Sequence, residues 1–93
     1  MNLDEIQAII KQLLIDDLQV DAAMLQNATA DTPLLGRGIG LDSVEATRLA
    51  LGLENAFDIS IPDADLTVEL FSSLGNLAAY VQARTVVREK VVS

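Results

Sequence analysis

Two segments of the chain place apolar residues three and four positions apart, the spacing of one face of an amphipathic helix. They are residues 3–18 and 43–57. Asn2 can cap the first segment, with Glu5 three residues later as in a capping box. Asp42 can cap the second segment, which places Ser43 at the first helical position and Glu45 at the third. The sequence therefore predicts two long helices. Their apolar stripes are Leu3, Ile6, Ile10, Leu13 and Leu14 in the first, and Ala46, Leu49, Ala50, Leu53 and Phe57 in the second.

The chain between these helices, residues 19–41, has no periodic stripe and contains turn-forming residues throughout. We expect one short helical turn in it, at Asp21–Leu25, and we expect Leu34 and Leu35 to pin this loop onto the core. Three glycines at alternate positions near its end permit tight backbone paths. A connection of about 20 residues in a compact domain indicates either a functional segment or an incorrect assignment, and the pattern leaves both open.

After the second long helix, Pro62 interrupts the helical pattern, because proline lacks a backbone N–H and biases the residue before it toward extended geometry. We expect the neighbouring Ile59 and Ile61 to enter the core. A short helix is predicted at Thr67–Phe71, with its first residue as cap and with Leu70 and Phe71 facing inward. A last helix is predicted at Ser73–Thr85, with Ser72 or Ser73 as its cap and a buried stripe of Leu74, Leu77, Ala78 and Val81. The predicted fold is therefore all-α: a four-helix bundle of three longer helices and one short one, with a long loop between helices 1 and 2.

The length of 93 residues suffices for one domain. We assign this domain to residues 1–85 and expect residues 86–93, which carry no helical stripe, to form a flexible C-terminal tail. Apolar residues make up 51% of the chain but aromatic residues only 3%, so the core is aliphatic. The acidic N-terminus and the lack of an apolar run of about 20 residues predict a cytoplasmic protein with no membrane span. We expect a monomer.

The chain is strongly acidic, with a net charge of −8, and residues 1–83 alone carry −10 because they hold 13 acidic and three basic residues. Nucleic acid is therefore not an expected partner, since phosphate binding needs clustered Lys and Arg. The chain has no Cys and no His, which removes disulfides, thiolate metal sites, thiol nucleophiles and the usual acid–base side chain. We expect no catalytic residue, no metal site and no enzymatic activity.

The candidate chemistry lies at Ser43, which follows the flexible loop and begins the second long helix. Backbone N–H groups and the helix dipole at such a position stabilise an anion on the serine oxygen by a few tenths to about 1 kcal/mol. Asp42 places a carboxylate beside the hydroxyl, suited to the metal ion of an enzyme that transfers phosphoryl groups. An Asp-Ser pair at a helix start is, by itself, also ordinary capping chemistry.

The chain resembles the acyl carrier protein family over nearly its whole length. The resemblance lies in the amphipathic first helix, the long loop, Asp42-Ser43 at the start of the second helix, the segment Leu49–Asp58, and the run Ile59-Ser60-Ile61-Pro62-Asp63. The chain departs from the common family pattern at Val44, where Leu is more frequent. None of these elements is specific alone, but their order, spacing, total length and acidity together carry the resemblance.

The resemblance implies that Ser43 receives 4'-phosphopantetheine from coenzyme A through a phosphopantetheinyl transferase, with Asp42 assisting. The arm then carries acyl groups as thioesters, and its thiol is the sole one, because the chain has no Cys. The acyl chain is expected to fold back between the helices or to swing out into partner enzymes. Expected partners are ligases, ketosynthases and acyltransferases that load or use acyl groups in fatty acid, polyketide or specialised lipid pathways.

The resemblance also implies a partner-binding face on the second helix, to which we assign Val44, Glu45, Arg48 and Glu54. In the family this face is rich in acids that meet Lys and Arg on enzymes, but Arg48 stands where Glu is common. A like-charge contact penalises generic partners, so we expect a specialised carrier rather than a housekeeping one. Alternatively, Arg48 pairs with Glu45 at helical spacing, and the acidity serves solubility alone.

Other cargoes and one other class of function stay open. The nearest alternative is an aminoacyl, peptidyl or D-alanyl carrier, although Leu41-Asp42 and the charge of −8 favour acyl cargo. The alternative from another class is an unmodified acidic helical module that binds a partner. A gain in mass on incubation with coenzyme A and a phosphopantetheinyl transferase separates the carriers from the module.

Overall fold

The computed structural model describes residues 2–92 of the chain, and side chains in residues 2–85. Helix α1 packs against α3 and α4, and α3 packs against α4. The predicted all-α bundle of three longer helices and one short one is confirmed, with no strand in residues 2–92. The elements in order are α1 (Leu3–Asp16), α2 (Ala22–Gln26), α3 (Ser43–Phe57), a 3₁₀ turn (Asp63–Asp65) and α4 (Leu74–Val92).

Helices α1 and α3 begin after their predicted N-caps, and each cap is part of a capping box. Asn2 Oδ1 accepts a hydrogen bond from the N–H of Glu5 at 2.8 Å, and Asp42 Oδ1 accepts one from the N–H of Glu45, also at 2.8 Å. Each glutamate side chain accepts in return from the backbone N–H of its capping residue. Helix α3 begins and ends at the predicted residues, so its N-cap and its apolar stripe are sufficient to predict its bounds.

Helix α1 ends at Asp16, before the predicted end at Leu18. Gln19 adopts a left-handed backbone conformation with φ 58°, and the N–H of Val20 turns back to the carbonyl of Leu14 at 2.9 Å. This geometry satisfies a carbonyl that the helix end leaves without a partner. The chain therefore leaves the helix direction at this turn, although the apolar pattern continues beyond it.

The core is one cluster of mainly aliphatic side chains from the four helices and the segments between them. The predicted stripes of α1 and α3 are buried, except that Leu3 is 39% exposed and Leu13 is partly buried. Ile59 and Ile61 are buried as predicted. The fully buried large side chains are Ile6, Ile10, Leu14, Leu34, Leu49, Leu53, Leu74, Leu77 and Val81.

The long connection between α1 and α3 is held to the core by apolar contacts. Leu34 is fully buried and Leu35 is partly buried against the core, as predicted. The expected helical turn is helix α2, whose N-cap Asp21 accepts from a backbone N–H at 2.9 Å and which buries Leu25. The connection is thus an ordered segment rather than an incorrect assignment.

The predicted helix at Thr67–Phe71 is wrong. This segment is a turn, in which the N–H of Leu70 donates to the carbonyl of Thr67 at 3.1 Å. The carbonyls of Glu69 and Leu70 accept from the side-chain amide of Asn76, and the carbonyl of Phe71 accepts from the N–H of Leu34, so contacts with other segments hold these residues as a turn. The short α-helix of the bundle is therefore α2, and a 3₁₀ turn at Asp63–Asp65 precedes this segment. Leu70 and Phe71 are nevertheless buried, as predicted.

Helix α4 begins with the predicted cap, since Ser73 Oγ accepts from a first-turn N–H at 3.0 Å. Its predicted stripe is buried: Leu74, Leu77, Ala78 and Val81. The helix continues to Val92 instead of ending at Thr85, because the segment contains no Gly or Pro and each added residue adds one hydrogen bond. The division into a domain at 1–85 and a tail at 86–93 stays a prediction. Among the described residues, every helix is too short or too polar to span a lipid bilayer.

Candidate functional site

Ser43 is the first residue of α3, and its side chain is exposed to solvent. The capping box uses two of the four N–H groups that a helix start leaves without intrahelical acceptors, those of Asp42 and Glu45. Within residues 2–92, the N–H groups of Ser43 and Val44 make no hydrogen bond. They belong to the positive end of the helix dipole, so the site favours an anion on the Ser43 oxygen.

The loop before α3 is fixed by backbone hydrogen bonds. The N–H of Leu41 donates to the carbonyl of Leu34 at 3.0 Å, and the N–H of Ile39 donates to the carbonyl of Pro33 at 2.9 Å. The side chains of Leu34, Ile39 and Leu41 are all buried. The glycine-rich loop is therefore anchored on both sides, and it presents the start of α3 at a defined position on the surface.

An apolar cavity of about 240 Å³ opens beside Ser43, between the start of α3 and the turn before α4. Thr47 and Thr67 add two further hydroxyl groups to its lining. Because Ser43 itself lines the cavity, a group attached to its oxygen has apolar space directly beside it. The apolar lining consists of Leu35, Leu41, Ala46, Leu66, Val68 and Phe71.

The acidic residues assigned to the site form local hydrogen bonds within the fold. Asp42 and Glu45 complete the capping box, and Glu54 Oε2 accepts from the backbone N–H of Ile61 at 2.8 Å. Glu45 and Glu54 are both partly buried. The alternative ion pair between Arg48 and Glu45 is not found among the side chains that the structure describes. Each of these carboxylates thus has a structural contact, and Arg48 is left without one.

The outer side of α3 carries a row of exposed residues that we call the outer ridge: Val44, Arg48, Leu51 and Asn55. Successive helical residues are about 100° apart, so these four lie within an arc of about 60°. That arc is opposite the buried stripe of the helix. Val44 is 67% and Leu51 is 55% exposed. Of the residues assigned to partner binding, the structure brings Val44 and Arg48 together on the ridge and places Glu45 and Glu54 on its flanks.

Sequence reasoning does not single out Leu51 or the cavity residues Leu66 and Val68. For Leu51 a signal exists, because it lies outside the buried stripe and seven residues after Val44, on the same side of a helix. For Leu66 and Val68 no periodic signal exists, because their wall of the cavity is formed by turns.

A polar cluster fixes the chain after α3 onto α4. The hydroxyl of Tyr80 donates to Asp65 Oδ2 at 2.5 Å, and the guanidinium of Arg84 lies 3.7 Å from the same oxygen and 5.0 Å from the centre of the Tyr80 ring. Arg84 Nε also donates to the carbonyl of Ser60 at 2.9 Å. Burial, and then the hydrogen bond to Asp65, raise the pKa of Tyr80 to about 12. Since Leu66 follows Asp65, the cluster also positions one wall of the cavity.

Residues 8–81 match the family model described as a phosphopantetheine attachment site. The chain is 30% identical to the acyl carrier protein of Clostridium acetobutylicum over 76 residues, which cover 82% of this chain and 91% of the relative. It is 27% identical to the acyl carrier protein of Akkermansia muciniphila over 82 residues, 88% of this chain and 95% of the relative. It is 42% identical to the D-alanyl carrier protein of Lactococcus lactis subsp. cremoris over 55 residues, 59% of this chain and 68% of the relative. With most of its length matched in this way, the chain belongs to the acyl carrier protein family of phosphopantetheine-binding carriers.

Proposed function

We propose that this carrier holds acyl groups as thioesters on 4'-phosphopantetheine attached to Ser43 and delivers them to partner enzymes. Covalently attached 4'-phosphopantetheine is the cofactor of the family. One observation carries the assignment to Ser43: this residue is the exposed first residue of α3 and also lines the apolar cavity. The Ser43 hydroxyl thus lies between a helix start that can bind an anion and an apolar cavity.

The start of α3 fits the phosphate end of this cofactor. The N–H groups of Ser43 and Val44 and the positive end of the α3 dipole suit the phosphate that joins the arm to the serine oxygen. At its far end the arm supplies a thiol, which the chain lacks because it has no Cys. When bound, the group therefore provides the thioester chemistry, and the protein provides the attachment point.

The cavity beside Ser43 supports the proposal that the acyl chain folds back between α3 and the turn before α4. Its lining is apolar at six positions, including Leu66 and Phe71. Each methylene that moves from water into such a lining gains about 0.8 kcal/mol. A chain held there is partly shielded from water until a partner enzyme draws it out.

We further propose that the protein has no catalytic activity of its own and serves one dedicated pathway. Phosphopantetheinyl transferases and acyl-handling enzymes in general are the partners that the family implies. Arg48 supports the dedicated role, because it places a cation on the helix where the common family pattern has an acid. Cytoplasmic location, a monomeric state and a carrier domain at residues 1–85 remain part of this proposal.

The experiment that tests the proposal is the mass of the apo protein after incubation with coenzyme A and a phosphopantetheinyl transferase of broad specificity. We expect a gain of one phosphopantetheinyl group in the wild type and none in Ser43→Ala. Ser72→Ala is the matched control, because Ser72 is also exposed, and it is expected to gain the same mass as the wild type. The assignment to Ser43 is wrong if the wild type gains nothing or if Ser43→Ala is still modified.

A second cargo class is D-alanine, which the similarity to the D-alanyl carrier protein of Lactococcus lactis favours. The apolar cavity argues for an acyl chain instead, because an aminoacyl group carries an ammonium that loses hydration in an apolar lining. The intact mass of the protein isolated from its source organism, with the thioester still attached, distinguishes the two. A D-alanyl group on the arm would contradict acyl cargo while leaving the carrier role in place.

A further inference from the structure

Resting on the proposed carrier function, we propose that the enzyme that receives the cargo docks on the outer ridge of α3 with a carboxylate opposite Arg48. Apolar recesses on the enzyme would hold Val44 on one side of this ion pair and Leu51 on the other. The partner surface is therefore acidic at its centre, in contrast to a basic surface that would suit an acidic helix.

The geometry of α3 determines which side chains can meet a partner first. The buried stripe of α3 includes Leu49, Leu53 and Phe57, which lie on the inner side of the helix. The outer ridge is on the opposite side, and Arg48 is its single charged residue. A flat or concave protein surface that approaches α3 from solvent therefore contacts Val44, Arg48 and Leu51 before any carboxylate of the helix.

The carboxylates of α3 are poorly placed to receive a basic partner. Glu45 lies about 60° around the helix from Arg48, and its oxygen already accepts from the N–H of Asp42. Glu54 lies about 120° from Arg48 on the other flank and accepts from the N–H of Ile61. A cationic patch centred on the ridge would face Arg48 directly and would reach these acids only at its edges.

Arg48 is exposed and has no acceptor or ion pair among the side chains that the structure describes. When a partner covers the ridge and removes water from it, an unpaired guanidinium loses hydration without compensation. A carboxylate on the partner removes that penalty and can bind the planar guanidinium through two hydrogen bonds. The two exposed apolar neighbours, Val44 and Leu51, supply the contact area that excludes water around the pair.

An anionic membrane surface also offers negative charge, but the rest of the molecule opposes it. Residues 1–83 carry a net charge of −10, and Arg48 is the one cation on the ridge. Membrane association through charge needs several clustered Lys or Arg side chains. The charge distribution therefore favours a protein partner with a local carboxylate.

The test begins with the holo protein carrying Leu51→p-benzoylphenylalanine, irradiated in an extract of the source organism. The same photoreactive residue in Met24→p-benzoylphenylalanine is the control, because Met24 is similarly exposed on α2. An enzyme crosslinked at position 51 and not at position 24 is then purified and its contact peptide is identified. We expect this peptide to contain Asp or Glu.

The affinity of that enzyme for holo variants decides the proposal. We expect Arg48→Glu to weaken binding about tenfold or more. Arg37→Glu makes the same change in net charge in the exposed loop and is expected to stay within about twofold of the wild type. Replacing the enzyme's contact carboxylate by Lys should restore its binding to Arg48→Glu.

The proposal is overturned if Arg48→Glu binds the enzyme as tightly as the wild type does, or tighter. It is also overturned if the contact peptide has no carboxylate, or if every enzyme crosslinked at position 51 is crosslinked at position 24 as well. It is also overturned if the wild type binds phosphatidylglycerol vesicles in a way that Arg48→Glu abolishes. The gain in mass at Ser43 is scored separately. Without that gain the carrier function itself fails, whereas a normal gain with an unchanged Arg48→Glu affinity rejects the docking proposal alone.

Discussion

The carboxylate of Glu54 accepts a hydrogen bond from the backbone N–H of Ile61 at 2.8 Å. This contact joins the last turn of α3 to the extended chain behind it, which carries the buried side chains of Ile59 and Ile61 into the core. Glu54 stands where the resemblance places a partner-binding acid. In this chain the same carboxylate also holds the segment after α3 against the end of the helix. Its loss therefore lowers the stability of the fold, in addition to any effect on partner binding.

Glu54→Ala is expected to lower the free energy of unfolding by about 1–2 kcal/mol, because a partly buried hydrogen bond to a charged acceptor is lost. Glu54→Gln should lose less, since its amide oxygen can still accept from Ile61. Urea unfolding followed by circular dichroism measures both. Asn55→Ala, at the exposed neighbouring position, serves as the control and is expected within about 0.5 kcal/mol of the wild type. An Ala variant as stable as the wild type would show that this hydrogen bond contributes nothing to the fold.

The loop before α3 depends on a close approach between Gly38 and Pro33. A Cβ atom at Gly38 would lie 1.7 Å from the carbonyl oxygen of Pro33, the same oxygen that accepts from the N–H of Ile39. A backbone group cannot move aside as a flexible side chain can. A side chain at position 38 therefore has to displace the loop that presents Ser43.

Gly38→Ala is expected to destabilise the protein by about 2 kcal/mol or more. Gly36→Ala is the matched control, because position 36 has open space around it but a φ of +62°, where alanine costs about 1 kcal/mol. The stability measured by thermal and urea unfolding should therefore be highest for the wild type, lower for Gly36→Ala and lowest for Gly38→Ala. The reverse order of the two variants would mean that the loop can relax around a methyl group at position 38.

The parts of this molecule that the sequence predicts well are those governed by short-range rules. Helix α3 follows from one N-cap and one apolar stripe, and both Asp42 and Phe57 stand at the ends that the pattern predicts. The buried positions of Leu34, Ile59 and Ile61 follow from apolar residues set among turn-forming and polar ones. In each case the information lies within a few residues along the chain.

The parts that the sequence does not predict depend on contacts between distant segments. The turn at Thr67–Phe71 has the composition of a helix start, but the carbonyls at positions 69–71 accept from Asn76 and Leu34, and packing against the core buries Phe71. The cavity beside Ser43 is lined by residues from the loop, α3 and this turn, so no local sequence pattern predicts it. The hydrogen bond from the N–H of Ile61 to Glu54 likewise joins positions seven residues apart that no capping rule or apolar stripe pairs.

Asp42→Asn separates two roles that the sequence combines in one residue. Asparagine caps a helix about as well as aspartate, so the free energy of unfolding should fall by less than about 1 kcal/mol. The carboxylate that would assist the transferase's metal ion is lost, and we expect the rate of modification at Ser43 to fall on the order of tenfold. The rate is measured by mass spectrometry over time, with unfolding in urea as the control. A variant modified at the wild-type rate would leave Asp42 with its capping role alone.

Tyr80 makes the stability of the fold sensitive to alkaline pH. Burial and the hydrogen bond to Asp65 raise its pKa in the folded protein from 10.0 to about 12, which means that folding favours the protonated phenol. Its contribution to stability is therefore fully present below pH 10 and is lost as the pH rises toward 12. Tyr80 is the chain's one tyrosine, and there is no tryptophan, so the near-ultraviolet absorbance of tyrosinate reports this residue alone. We expect the native protein to titrate well above the urea-unfolded protein, and we expect the stability advantage of the wild type over Tyr80→Phe to shrink across this pH range. Equal midpoints for the folded and unfolded protein would show that the contact with Asp65 does not hold the phenol protonated.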